Sequence, residues 1–157
     1  MIEQKLKSLK GVNIAAIVLA ALMLLVYFCV IVLANVAGNA FLNEIQNNTE
    51  MSQQISAALI NSGSNVTMEQ TIDALNSMML GVNILLIVMM IAIVVQIVGS
   101  AIIIVKSGRD VKAAANSLAW GIICLVLSIF TGGLVKFILY IVSLVKICGI
   151  RREAKNA

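Results

Sequence analysis

The sequence predicts an all-α integral membrane protein, a four-helix transmembrane bundle that carries an external amphipathic helical hairpin. Three observations lead there. Of 157 residues, 61% are hydrophobic and only 11% are charged, a balance far from that of soluble domains. Residues 12–36 and 82–105 contain no charged side chain, and each stretch exceeds the roughly 20 residues a helix needs to cross about 30 Å of hydrocarbon. All the basic residues but Lys136, finally, fall into three clusters separated from an acidic segment.

Backbone amides in lipid must find partners within their own segment, so both uncharged stretches are predicted as helices rather than strands. The first follows Lys5, Lys7 and Lys10, as in a secretory signal peptide, with Gly38 and Ala40 as small residues at a cleavage position. A signal h-region spans only about 7 to 15 residues, so residues 12–36 are read as an uncleaved first span.

Lysine and arginine close to span ends are held on the cytoplasmic side. They gather at the start, then at Lys106, Arg109 and Lys112, and again at Lys146, Arg151, Arg152 and Lys155. Residues 37–81 contain neither, and carry only Glu44, Glu50, Glu69 and Asp73. The first helix is therefore expected to run outward and the second to return.

Residues 113–148 would reach about 54 Å as a single helix, too far for one perpendicular crossing. Thr131, Gly132 and Gly133 supply a turn, because glycine accepts the positive φ angles of a tight reversal. Two short helices follow, 113–130 and 134–148, which either cross twice or dip in and return. The whole chain, 1–157, is thus expected to form one domain of the cell membrane with both termini cytoplasmic. Lys106, Arg109, Lys136, Lys146, Arg151 and Arg152 are assigned as interfacial anchors, Lys136 reaching the outer interface on its long stem. The alternative for Lys136 is a buried functional charge.

Residues 37–81 are polar yet patterned. Phe41, Leu42, Ile45, Met51, Ile55, Ala58 and Leu59 recur near helical spacing. A turn is expected over Asn61, Ser62, Gly63, Ser64 and Asn65, followed by a capping box of Thr67 with Gln70 and a first-turn anion, Glu69. Met68, Ile72, Leu75 and Met79 line the second arm. The stripe of Phe41, Ile45, Ile55, Leu59, Ile72 and Leu75 either docks a partner or is buried between the arms. Asn47-Asn48-Thr49 and Asn65-Val66-Thr67 match the glycosylation triplet, a match that an Asn- and Thr-rich segment produces readily by chance.

The chain contains no histidine, which removes imidazole bases, His-assisted nucleophiles and His-ligated metals. No acid falls inside an expected span, so the carboxylate relay of a proton pump is missing. No phosphate-cradling glycine loop is present. No cofactor, metal or nucleic-acid partner is expected, and the net charge of +4 is attributed to topology. Cys29, Cys124 and Cys148 lie in or beside spans. Claudins and tetraspanins share the four-span layout, but their signatures depend on cysteines in the large external loop, which this chain lacks. The architecture is similar to that of many small four-span bacterial proteins, a likeness that no particular residue carries.

Function is read from this layout as non-enzymatic: an accessory, scaffold or immunity-type subunit acting through helix packing and external contacts. Its expected partners are the lipid bilayer and another membrane protein or a second copy. The alternative is a small oligomeric channel or carrier with Gln96, Ser100 and Ser128 facing a shared path. An amide deep in a span, such as Gln96, is expected to find a partner on a neighbouring helix. Gly11 with Ala15, and Ala16 with Ala20, would permit close helix approach.

Overall fold

The computed structural model of the chain describes residues 2–63 and 66–156. Six helices make up the order α1 (Ile2–Asn47), α2 (Thr49–Asn61), α3 (Met68–Arg109), α4 (Val111–Ala115), α5 (Leu118–Thr131) and α6 (Leu134–Asn156), with no strand among the described residues. Of the expected turn at 61–65, Ser64 and Asn65 lie outside the described residues, and with them the second glycosylation triplet.

The chain has no proline, so nothing interrupts α1 over 46 residues or α3 over 42. Their many isoleucines and valines are indifferent helix formers in water. In lipid the requirement that every backbone amide be satisfied internally outweighs that preference. Three of the breaks fall where a side chain takes over orphaned amides. Asn48, with φ −99° and ψ 105°, stops α1 and caps α2, its Oδ1 accepting from the backbone of Glu50 and Met51 at 3.1 and 3.2 Å. The expected capping box forms ahead of α3: Thr67 N donates to Gln70 Oε1 at 2.9 Å, and Gln70 N to Thr67 Oγ1 at 3.2 Å. Asp110 caps α4 through Ala113 N. A further break at Asn116 and Ser117 divides α4 from α5, where the sequence predicted one helix over 113–130. Gly132 and Gly133 then leave α5 with φ of 70° and 90°.

Three helical stretches are long and apolar enough to cross a membrane: Ile2–Asn47, Met68–Arg109 and Val111–Thr131. Only 11% and 6% of the most apolar window of α1 and of α3 is buried within the protein. Phe28, Leu33, Ile91 and Val98 are among the large side chains left exposed. Contiguous apolar surface on this scale exceeds what a soluble chain tolerates, and lipid is the solvent it matches. The chain's three long apolar helices are those of a protein suited to a membrane.

The chain divides into two compact units. The first combines Met1–Val26 with Val88–Ala157. Each helix in it buries one stripe at three- and four-residue spacing: Leu9, Asn13, Ala16 and Ala20 on α1; Ile93, Gln96, Ser100, Ile103 and Ser107 on α3; Gly121, Cys124, Ser128 and Thr131 on α5; Lys136, Tyr140, Ser143, Ile147 and Ile150 on α6. Leu9, Ile103, Ala114, Ile147 and Ile150 pack as one apolar cluster, and Ala16, Cys124 and Tyr140 as another. Of the small-residue pairs, Ala16 and Ala20 are buried, while Gly11 is exposed with open space around it. Gly99 sets the distance between α3 and α5, because a Cβ there would stand 2.6 Å from Cys124 Sγ and 3.1 Å from the Trp120 ring. Lys5 and Glu153 form an ion pair between α1 and α6.

The second unit is Tyr27–Ile87. Asn35 and Asn83 join α1 to α3 by exchanging hydrogen bonds, Asn35 Nδ2 to Asn83 Oδ1 at 3.0 Å and the reverse at 2.9 Å. Gly38 faces the Met79 side chain so closely that an added Cβ would fall 2.3 Å from its terminal carbon. Leu42 and Ile45 are buried.

Candidate functional site

The inward faces of the first unit are unusual in being polar. Thr131, the last residue of α5, sits at their centre. Its hydroxyl donates to Leu127 O at 3.0 Å, as a hydroxyl in the final helical turn can, and its oxygen accepts from two side chains. Gln96 Nε2 reaches it from α3 at 3.0 Å, and Lys136 Nζ from the first turn of α6 at 2.6 Å. Thr131, Gln96 and Lys136 are all 0% exposed. Three helices therefore converge on one hydroxyl oxygen.

Sequence and local structure place these groups. The two-residue connection through Gly132 and Gly133 turns the chain back at once, which brings Lys136 within reach of a residue five positions earlier. The ammonium lies beside the C-terminal end of α5, where the aligned peptide dipoles present partial negative charge. Among the described residues no carboxylate pairs with it. Lys136 is therefore a buried cation held by a hydroxyl rather than by an anion.

The polar seam continues on both sides of this node. Ser100 Oγ donates to the Tyr140 hydroxyl at 3.4 Å, and Cys124 Sγ to Gln96 O at 3.6 Å. Asn13 Nδ2 donates to Leu9 O at 3.0 Å and to Ser143 Oγ at 2.9 Å, tying α1 to α6. Ser128 Oγ donates back to Leu125 O at 2.6 Å. Two buried amide oxygens, Gln96 Oε1 and Asn13 Oδ1, accept no hydrogen bond from the described residues. An unpaired carbonyl in this position costs roughly 1–3 kcal/mol.

No protein-family model, no curated protein and no solved structure matches this chain.

Gln96, Ser100 and Ser128, singled out in the sequence, are all buried in the same unit, and a path lined by them would run inside one chain. Among the residues assigned as anchors, Arg109, Arg151 and Arg152 are exposed, Lys106 and Lys146 are half-buried, and Lys136 is fully buried. Lys106 Nζ donates to Asn116 O at 3.4 Å. In the apolar stripe Ile45 is buried, Ile55, Leu59, Ile72 and Leu75 are half-buried, and Phe41 is exposed. Leu75 lines a cavity of about 210 Å³ with Ala34, Asn35, Met78, Met79, Val82 and Asn83.

Sequence reasoning did not assign Thr131, Tyr140, Ser143 or the Asn35–Asn83 pair to a polar contact. The signal for several of them is periodic. Cys124, Ser128 and Thr131, and again Lys136, Tyr140 and Ser143, stand at i, i+4 and i+7 within apolar helices, so each set occupies one face.

Proposed function

We propose that the chain is a non-enzymatic, multi-pass protein of the cell membrane, working as an accessory, scaffold or immunity-type subunit through helix packing and external contacts. α1, α3, the α4–α5 stretch and α6 pack as a four-helix transmembrane bundle. Both termini are cytoplasmic, and residues 37–81 form an external helical hairpin. A single observation supports this reading: most buried polar side chains of the first unit bond to groups inside it, while the exposed side chains of the apolar stretches of α1 and α3 are overwhelmingly hydrophobic. Outward faces of that kind suit lipid and the helices of a partner.

The test is a photo-crosslinking residue placed singly at exposed positions Leu25, Leu33, Ile91 and Val98, in native membranes, with mass spectrometry of the adducts. One recurring protein partner on one face is the expected result. Adducts with lipid alone at every position, under every growth condition, would defeat the proposal.

A second reading, a small channel or carrier, draws on the two unpaired oxygens Gln96 Oε1 and Asn13 Oδ1 in the polar seam. They are acceptors that a translocated solute could use. Proteoliposomes decide this: solute flux that persists unchanged in Gln96→Leu removes that residue from any lining role.

A further inference from the structure

We propose that the C-terminal turns of α6 carry a binding site for the phosphate of an anionic phospholipid headgroup, formed by Arg151, Arg152 and Lys155.

The spacing comes first. Cys148, Arg151, Arg152 and Lys155 stand at i, i+3, i+4 and i+7, so they occupy one face of α6. With Leu118 at the start of α5 they line a groove of about 400 Å³, and no acid contributes to it. Arg151, Arg152 and Lys155 are exposed. The acid of this stretch, Glu153, lies about 200° round the helix from Arg151 and is engaged by Lys5. It does not neutralise the cationic face.

The charge on that face is thus unbalanced. Arg151 and Lys155, four residues apart, repel each other, as like charges at this helical spacing do. An anion between them relieves the repulsion. Two guanidinium groups supply the planar donor forks that match phosphate oxygens, while the lysine adds a point charge.

Depth selects the source of the phosphate. The apolar run of α6 over 134–148 ends where this face begins, so, on the reading of α6 as a membrane helix, the cations lie at headgroup level. Leu118 on the groove wall suits the glycerol and upper acyl carbons of a lipid. A free inorganic phosphate would gain nothing from it. A second cationic cavity, lined by Lys7, Lys10 and Arg109, also contains Glu3 and Asp110, and its mixed charge favours no anion. A third, with Lys106 and Arg109, is otherwise walled by Val98, Ala101, Ile102 and Val105, and its lysine is already engaged by Asn116 O.

The experiment uses the full chain in mild detergent, mixed with phosphatidylglycerol and phosphatidylcholine in equal amounts, and native mass spectrometry of the retained lipid. The wild type is expected to keep phosphatidylglycerol preferentially. Each of Arg151→Gln, Arg152→Gln and Lys155→Gln should lower that retention about fivefold, the factor attached to one basic residue near an anionic surface. Single variants of exposed residues beyond the apolar run keep the fold, which far-ultraviolet circular dichroism verifies. Equal retention of the two lipids overturns the proposal. So does wild-type retention in all three variants, or displacement of the lipid by equimolar inorganic phosphate, which would assign the site to a free anion. Partner crosslinking at α1 and α3 does not enter the readout, so the two proposals fail separately.

Discussion

Thr131 accepts two hydrogen bonds with one oxygen, so its replacement isolates the worth of the node. Thr131→Val preserves the branched shape and removes the hydroxyl. It should lower stability by about 1–3 kcal/mol, since the amide of Gln96 and the ammonium of Lys136 then lack an acceptor in an enclosed site. Thr131→Ser, which keeps the oxygen, should lose less than half of that. Unfolding in mixed micelles titrated with a denaturing detergent measures both. Lys136→Met should stay within about 1 kcal/mol of the wild type, because exchanging a buried charge for an apolar chain of similar length is commonly neutral or favourable. A larger loss would show that the ammonium itself is required. That Gln96 would seek a partner was legible in the sequence, because a lone amide in an apolar helix has few alternatives. The partner was not, since a threonine beside two glycines reads as part of a turn. Lys136 was harder still: a lysine near a span end has the same sequence signature whether its stem reaches water or folds inward, and only the contact with Thr131 separates the two.

At the level of elements, two glycines in different roles give different expectations. Gly99→Ala sets a methyl against Cys124 Sγ at 2.6 Å and should cost about 1–3 kcal/mol through overpacking of α3 on α5. Combining it with Cys124→Ala, which withdraws the clashing sulfur, should return part of the loss, and a double-mutant cycle reads the coupling. Gly133→Ala acts through the backbone instead. At φ 90° an L-residue is strained by about 1–2 kcal/mol, and its Cβ would also meet Met23 Sδ at 3.0 Å. Both variants are scored by the unfolding assay applied to Thr131. The turn at Gly132 and Gly133 and the Thr67–Gln70 box were readable because each rests on a residue type with one dominant local use. Asn48 and the Asn116–Ser117 break were not foreseen as stops, whereas the end of the second span before residue 113 was, though not Asp110 as the cap beyond it. The apolar periodicity of residues 41–59 runs straight through Asn48, and a side chain that caps a helix differs from one on its surface only by a local backbone rotation.

For the molecule as a whole, the all-helical membrane class was the most legible feature. It follows from composition summed over long windows, in which single-residue ambiguities cancel. Among the described residues three stretches meet the length and apolarity of a span, and α6 differs from them in carrying Lys136, Lys146, Arg151 and Arg152. Orientation is tested with thiols. In a Cys29→Ala background, Ser62→Cys should react with an impermeant maleimide on intact cells, whereas Cys148, exposed on α6, should react only after the cells are opened. The reverse pattern would invert the proposed topology. What residues 37–81 contact had no signature in the sequence, because a half-buried isoleucine serves a neighbouring helix and a foreign one equally well. The two donors to Thr131 lie at very different distances from it along the chain. Lys136 finds its acceptor five residues upstream, whereas Gln96 must wait for a residue 35 positions later. The α5–α6 hairpin thus holds an acceptor for its own cation without help from α1 or α3, whereas the amide of α3 depends on that hairpin for its partner.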